Sequence, residues 1–351
     1  MDRGINNHTE PVLVKNKRKA YLAMCLSTFA LFVISALSGI FNSFIIEFLG
    51  KNYSLIERMT VGFLGHFGIG VPIAKAALEN LFGAGTVFQF ISVISIIITM
   101  VIPALLFSWV FKISFNKSFC LDGKIIKGFF AFFCANQIIT TFVSGFSGRI
   151  YDFIVPPSPD IYTGSFTAYS PDAFSITMSI LCTCILVPVT EEYVFRGMFF
   201  TYLRRYGLAF GIIASATLFG VAHSAPTQSV FAFTFGIISA IAFVITGNIK
   251  TSILLHALNN TVSVVFGYLK ICVSEDLFYV ISCLYTIIIT AAAMAGLYKF
   301  IKAGGFLDTY FEKEKENDSG LCMKAGMREI ICFPMIVYIL IYAVDFITQV
   351  M

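Results

Sequence analysis

The sequence predicts an all-α membrane protein, a polytopic bundle of about eight or nine transmembrane helices. Hydrophobic residues make up 58% of its 351 residues and charged residues only 13%, and the mean hydropathy is +0.85. Soluble domains carry about 25% charged residues. Apolar stretches long enough to cross about 30 Å of hydrocarbon recur along the chain, and they lack the two-residue alternation of a membrane barrel. Helices are therefore the expected spanning structure.

The candidate spans follow one another with mostly short connections. In chain order they are 21–46, 87–110, 128–146, 173–190, 207–223, 230–245, 253–269, 277–298 and 330–347. The stretch 58–81 is also apolar, but it contains several glycines, a proline and four ionisable residues. This composition is more typical of an interfacial or re-entrant helix than of a span.

The positions of lysine and arginine predict the orientation of the chain, because basic residues in short loops stay on the cytoplasmic side. Residues 1–20 form a basic tail that precedes the first span. With this tail in the cytoplasm, the strongly basic connections also fall inside; they are 112–127, 204–205, 250 and 299–328. The acidic loop 149–172 falls outside. We expect a multi-pass protein of the cell membrane with a cytoplasmic N-terminus and no nucleic-acid partner.

Residues 21–351 are expected to form a single membrane-embedded domain, since no polar stretch is long enough for a separate soluble domain. The first apolar run is too long for a signal-peptide core and is interpreted as an uncleaved anchor. The nine cysteines are scattered through apolar runs without a Cys-x-x-Cys pair. Disulfides and thiolate metal sites are therefore not expected.

Three polar motifs interrupt an otherwise apolar region. They are Glu191-Glu192-x-x-x-Arg196, Phe219-x-x-x-His223 and His256-x-x-x-Asn260. An ionisable side chain at bilayer depth costs several kcal/mol, so such groups persist where they pair, line a wet cavity or perform chemistry. Each motif alone also has a structural interpretation, as an ion pair, a helix-packing histidine or an interfacial cap. Their joint occurrence favours a functional site.

Helix geometry assigns different roles to the two glutamates. Glu192 and Arg196 are four residues apart and can pair on one helix face. Glu191 is rotated by about 100° from Glu192, so the two carboxylates should not serve one cavity equally. Glu191 is therefore the carboxylate expected to be free for general-base chemistry in a low-dielectric pocket.

The other two motifs each place two side chains on one face of a helix. Phe219 and His223 are one turn apart on a segment that is otherwise apolar. His256 and Asn260 would present an imidazole and a carboxamide side by side, and two such donors can stabilise a developing oxyanion.

The three motifs together resemble those of the CPBP intramembrane proteases. This family comprises the type II CAAX prenyl endopeptidases and bacterial relatives linked to bacteriocin processing and self-immunity. The resemblance is specific over 181–265, which is the expected catalytic core. It implies an all-helical bundle whose cavity opens to the cytoplasm and to lipid.

Residue by residue, the resemblance implies that Glu191 and His223 activate the attacking water. His256 and Asn260 would bind the oxyanion. Supporting residues would be Glu192, Arg196 and Phe219. The expected enzyme is an endopeptidase, of a class usually called metalloendopeptidases, that cleaves a membrane-associated or lipidated CAAX-type protein or a leader peptide.

The sequence alone does not decide whether the activity depends on a metal. Glu191, His223 and His256 would supply three zinc ligands, the usual number for a catalytic zinc. His-Glu-x-x-His is absent, however, and a glutamate-activated water needs no ion. A metal-free mechanism without any cofactor is the favoured interpretation, with zinc as the alternative.

Two other classes of function compete with the protease. A noncatalytic immunity or scaffold protein could use the same groups as a polar lock, although it would not need all four of the residues expected to be catalytic. A proton-coupled transporter also carries buried carboxylates and histidines. The lack of a duplicated half with matching broken helices counts against a transporter.

Overall fold

A computed structural model describes residues 126–154, 173–204, 208–223 and 226–303, together with scattered residues between 44 and 109. Every element in these ranges is a helix, so the all-α prediction is confirmed for the described part of the chain. The basic tail 1–20 and the predicted span 330–347 lie outside the described residues, as do nearly all of 21–46 and much of 87–110. The division into a tail and one membrane domain stays a prediction.

Six helical stretches, labelled here α1 to α6, make up the main described part. They are α1 (Ile126–Ile154), α2 (173–203), α3 (Leu208–Val221), α4 (Pro226–Thr246), α5 (Ile249–Cys272) and α6 (Glu275–Ala303). All but α3 are long and apolar enough to cross a membrane, which gives 5 candidate spans among the described residues. α3 is a shorter apolar helix where the sequence predicted a span over 207–223. The total of eight or nine spans stays a prediction.

The helix α2 continues well beyond the predicted span 173–190. It alternates between α and π geometry, with π stretches at Ile180–Leu186 and Tyr193–Phe200 on either side of Val187–Glu192. π turns within helices are frequent at functional sites. The first motif therefore lies in the middle of a continuous helix. Because Glu192 pairs with Arg196 of the same helix and with side chains of neighbouring helices, the chain need not leave the apolar region at this motif.

Small residues bring α3 and α4 close together. A Cβ atom added at Gly236 would meet Ala216 at 3.0 Å, and one added at Gly220 would meet Phe233 at 2.9 Å. Membrane helices commonly pack at such small residues, since association depends on close van der Waals contact. α4 also packs against α1 and α5, while α5 packs against α2 and α6 packs against α1. α4 is therefore the central helix of the described bundle.

A tight turn joins α4 to α5 and sets the start of α5. Gly247 has a positive φ of 64°, and its N–H donates to the carbonyl of Phe243 at 2.8 Å. Asn248 then caps α5, because its Oδ1 accepts from the backbone N–H of Lys250 at 2.9 Å. This turn directs α5 back along α4, so that His256 lies opposite the middle of α2.

The ambiguous stretch 58–81 contains a helix and a turn in its described residues. The helix reaches His66, a turn follows with Gly68 at a φ of 76°, and helical residues resume at Val71. Glu57 and Lys75 form an ion pair of 2.8 Å between the two sides of this turn. A turn at this position agrees with an interfacial or re-entrant element better than with a single clean span.

Candidate active site

The centre of the site is a fully buried ion pair within α2. The side chains of Glu192 and Arg196 are both 0% exposed, and Nη1 of the arginine lies 3.1 Å from Oε1 of the glutamate. The contact is an ion pair and not a well-aligned hydrogen bond, since Nη1 lacks hydrogen-bond geometry to any acceptor in the described part. The pairing predicted from the four-residue spacing is thus present.

Two further helices complete the surroundings of Glu192. Ser239 on α4 donates its hydroxyl to Oε2 at 2.9 Å. His256 on α5 places Nδ1 at 3.0 Å from Oε1. A buried carboxylate is tolerated when donors satisfy its oxygens. Three helices therefore meet at this one carboxylate.

Aromatic rings and a backbone carbonyl surround the guanidinium of Arg196. Its Nη2 donates to the carbonyl of Gly236 at 3.2 Å. The guanidinium lies 4.6 Å from the ring centre of Phe219 and 5.9 Å from that of Phe235. Cation–π contacts of this kind are strongest when water is excluded. Phe219 of the second motif thus supports the arginine of the first.

Glu191 is buried but holds no comparable set of partners. Its Oε2 lies 3.8 Å from Nε2 of His256 and has no hydrogen-bond partner within the described part. The two glutamates therefore approach the two nitrogens of one imidazole, at 3.8 Å and 3.0 Å. The 100° rotation predicted that the two carboxylates would not serve one cavity equally. In the structure they lie on either side of one imidazole ring, and only Glu192 is within hydrogen-bond distance of it. Glu192 is the held carboxylate and Glu191 the free one.

The contact with Glu192 fixes the tautomer of His256. Glu192 is paired with an arginine and can only accept a hydrogen bond, so Nδ1 of His256 must donate. In the neutral imidazole Nε2 then carries the lone pair, and this nitrogen faces Oε2 of Glu191. A separation of 3.8 Å is too long for a direct hydrogen bond. Oε2 of Glu191 is therefore a buried acceptor without a donor among the described residues.

His223 lies beside this cluster at the end of α3. Its Nδ1 is 2.8 Å from the carbonyl of Phe219 and therefore donates to it. The His223 ring packs edge-to-face on Phe219 at 4.7 Å, and Phe219 lies 5.9 Å from the ring of His256. Phe219 thus contacts both histidines. The imidazole that the structure brings nearest to Glu191 is His256.

Asn260 connects α5 to the first π stretch of α2. Its Nδ2 donates to the carbonyl of Thr183 at 2.9 Å. The carboxamide still has a second N–H, because an amide nitrogen carries two donors. Asn260 therefore positions the two helices that carry His256 and Glu191, and it keeps one donor for a ligand.

A comparison with models of protein families gives a match to part of the chain. Residues 173–262 match the model of the family described as type II CAAX prenyl endopeptidase Rce1-like. These residues form an Rce1-like segment. The match contains all three motifs and confirms the recognition made from them. No curated protein and no solved structure matches the chain.

The Rce1-like segment does not assemble the three zinc ligands that the sequence allows. Among the described residues, no group of three or more histidine, cysteine, aspartate or glutamate side chains comes together as a metal site would require. The bonds from Nδ1 of His256 to Glu192 and from Nδ1 of His223 to the carbonyl of Phe219 leave Nε2 of each ring for other partners, as is usual in metal-bound histidines. The preference for a metal-free mechanism stays a prediction.

Sequence reasoning missed two sets of polar residues around the Rce1-like segment. The first is Ser239, which no motif includes. The second is a cluster of amides and a hydroxyl that consists of Asn136, Gln137, Asn259 and Tyr285. The adjacent pair Asn136-Gln137 in an apolar span was a usable signal, because polar side chains at this depth usually bond across helices. A lone serine such as Ser239 gives no comparable signal.

Proposed function

We propose that the protein is an intramembrane endopeptidase. It hydrolyses a peptide bond of a membrane-associated or lipidated CAAX-type protein, or of a leader peptide. Two findings support this proposal: the Rce1-like match of residues 173–262, and the approach of Glu191 to His256 inside apolar helices. The observation that carries it is the 3.8 Å separation of Oε2 and Nε2, two acceptors that face each other.

In the proposed mechanism these two acceptors orient the attacking water. Oε2 of Glu191 is buried, so its side chain turns slightly to admit a water about 2.8 Å from each atom, and this water donates one hydrogen to each. Its oxygen lone pair is then directed away from both groups and toward the scissile carbonyl carbon. As the C–O bond forms, Glu191 accepts a proton from the water. It later passes this proton to the leaving amide nitrogen as the C–N bond breaks.

Other residues of the motifs act on the substrate or hold the site. The free N–H of Asn260 stabilises the oxyanion of the tetrahedral intermediate, since a donor aimed at developing charge lowers the barrier. His223 acts beside Glu191 on the water, as the resemblance implies. Glu192 and Arg196 keep His256 in the tautomer that leaves Nε2 unprotonated. Such a nitrogen cannot donate to an oxyanion, so the proposed mechanism assigns His256 to the attacking water in place of the oxyanion role that the resemblance implies. No step of this mechanism requires a cofactor.

The membrane determines the class of substrate. Glu191 and His256 lie in the candidate spans Ser175–Leu203 and Ile249–Cys272, so the scissile bond must reach the depth of these helices. A lipid-anchored C-terminal tail or the end of a leader peptide can do so, because its lipid or apolar segment already partitions into the bilayer. The expected partners are therefore the bilayer and a membrane-associated peptide.

The test is cleavage of farnesylated and unmodified peptides by the purified, detergent-solubilised protein. Wild type should cleave at least one peptide, with or without a zinc chelator. Glu191→Gln should lose cleavage, while the matched control Glu275→Gln, at an exposed glutamate that begins α6, should retain it. Equal cleavage by wild type and Glu191→Gln would refute the proposed base. Loss of cleavage with chelator would refute the metal-free mechanism.

A further inference from the structure

We propose that Ser239, which lies outside the three motifs, is a positioning residue that holds Glu192 and through it fixes the tautomer of His256. Ser239 is fully buried on α4. Its hydroxyl donates to Oε2 of Glu192 at 2.9 Å. The consequence for turnover rests on the proposed function, whereas the consequence for the His256 tautomer does not.

The bonds around Glu192 show why one hydroxyl matters. Arg196 and His256 both contact the same oxygen, Oε1. Ser239 is the partner of the other oxygen, Oε2. The terminal torsion of a glutamate side chain is broad, so contacts on one oxygen alone do not fix the carboxylate plane. The serine supplies the second point that defines this plane.

Ser239 is itself held in position from α5. Its backbone carbonyl accepts a hydrogen bond from the hydroxyl of Ser252 at 3.0 Å. Ser252 is also fully buried and lies one helical turn before His256. The chain of contacts thus runs from α5 to α4, from α4 to Glu192 on α2, and back to His256 on α5.

The carboxylate plane controls which nitrogen of His256 carries the proton. With the plane fixed, Oε1 faces Nδ1 and the proton stays there. If the carboxylate turns, Nδ1 loses its acceptor and the proton can move to Nε2, where it blocks acceptance from the attacking water. Removal of Ser239 should therefore impair the chemical step and leave the binding of substrate intact.

The first test measures the tautomer directly and needs no substrate. The protein, without a histidine tag, is labelled with ¹⁵N at its four histidines, and the His256 signals are assigned by their loss in His256→Gln. Wild type should show His256 protonated at Nδ1 only. Ser239→Ala should give a mixture of tautomers. Ser239→Cys, which is close in shape to serine and keeps a weak donor, should give a mixture closer to the wild-type tautomer, and it provides a second variant if Ser239→Ala fails to fold.

The matched control is Ser215→Ala. It removes an equally buried hydroxyl, which bonds to the carbonyl of Ile212 on its own helix α3 and does not contact Glu192. The control should keep the wild-type tautomer. An unchanged His256 signal in Ser239→Ala, or the same change in Ser215→Ala, would overturn the proposal.

The second test is a double-mutant cycle on turnover. Ser239→Ala should lower kcat about tenfold, the scale of one hydrogen bond, with KM within about twofold. Glu192→Gln should also lower kcat, and adding Ser239→Ala to it should cause no further loss, because the serine acts through the glutamate. Additive losses would mean that Ser239 acts independently. If wild type cleaves no peptide, the proposed function fails. The measurement of the His256 tautomer still tests the role of Ser239 in that case.

Discussion

Two polar networks meet on helix α5 within one turn of each other, and they are built from different chemistry. The first joins His256 to Glu192, Arg196 and Ser239, and it contains formal charges. The second joins Asn259 to Gln137 at 3.0 Å and to Asn136 at 3.5 Å, while Tyr285 donates to Gln137 at 3.1 Å. The charged network connects α5 to α2 and α4. The neutral network connects α5 to α1 and α6.

The two networks differ in whether their side chains can exchange protons. Imidazole and carboxylate groups can gain and lose protons near neutral pH, so the charged network can perform acid–base chemistry. Amides and a phenol hold their protons in that range and can only bond. The neutral network therefore holds α5 against α1 and α6, and in the proposed mechanism the charged network uses the position of α5 for chemistry. Substitutions in the two networks should affect different measurements.

The largest expected effect is on turnover, from Glu191→Gln. We expect a loss of about 10²- to 10⁴-fold in kcat, the usual contribution of a general base. The thermal midpoint of unfolding in detergent should change little, because the nearest polar contact of Glu191 is the 3.8 Å approach to His256. Peptide cleavage and a thermal melt on the same preparation check both halves. A variant with a clearly lowered thermal midpoint but a wild-type kcat would reverse the assignment of the two glutamates.

The largest expected effect on stability comes from Arg196→Ala. This change leaves Glu192 buried without its counter-ion, and breaking a buried pair typically costs about 3–5 kcal/mol. Arg204, which is exposed at the end of α2, provides the matched control. Arg204→Ala should change the free energy of unfolding by less than about 0.5 kcal/mol. Denaturant unfolding in detergent compares the two; similar losses would mean that the buried pair contributes nothing particular.

Substitutions at the neighbouring residues Asn259 and Asn260 compare the two networks directly. Asn259→Ala removes the acceptor of Gln137 and should cost about 1 kcal/mol of stability, the scale of an interhelical hydrogen bond in a membrane. Turnover per folded molecule should stay near wild type. Asn260→Ala loses its bond to Thr183 and the proposed oxyanion donor, so kcat should fall about 10²-fold. If Asn259→Ala lowered kcat as strongly, the separation of the two networks would be wrong.

The sequence predicted the parts of this site that depend on local spacing. The pairing of Glu192 with Arg196 follows from a four-residue interval, and the helices follow from apolar runs. The contacts of Glu192 with Ser239 and His256 cross 47 and 64 residues of sequence, so no local rule could have found them. The bond of Asn260 to Thr183 likewise depends on how α5 packs on α2. The continuation of α2 to Leu203 has the same origin, since side chains of other helices also bond to Glu192.

The smallest expected effect is on stability, from a substitution in the turn that precedes α5. This substitution should affect both networks alike. Gly247 has a φ of 64°, where an alanine side chain is strained, so Gly247→Ala should cost about 1 kcal/mol. The control Gly145→Ala lies on an exposed face of α1 with nothing within 4 Å of the added Cβ. It should raise stability by up to about 1 kcal/mol, because alanine favours a helix interior. The thermal midpoint should fall in Gly247→Ala and rise in Gly145→Ala, while both variants keep the wild-type turnover per folded molecule. This result would show that the turn sets the position of α5 without entering the chemistry. A large loss of kcat in Gly247→Ala alone would show instead that the charged network depends on the start of α5 more than the neutral one does.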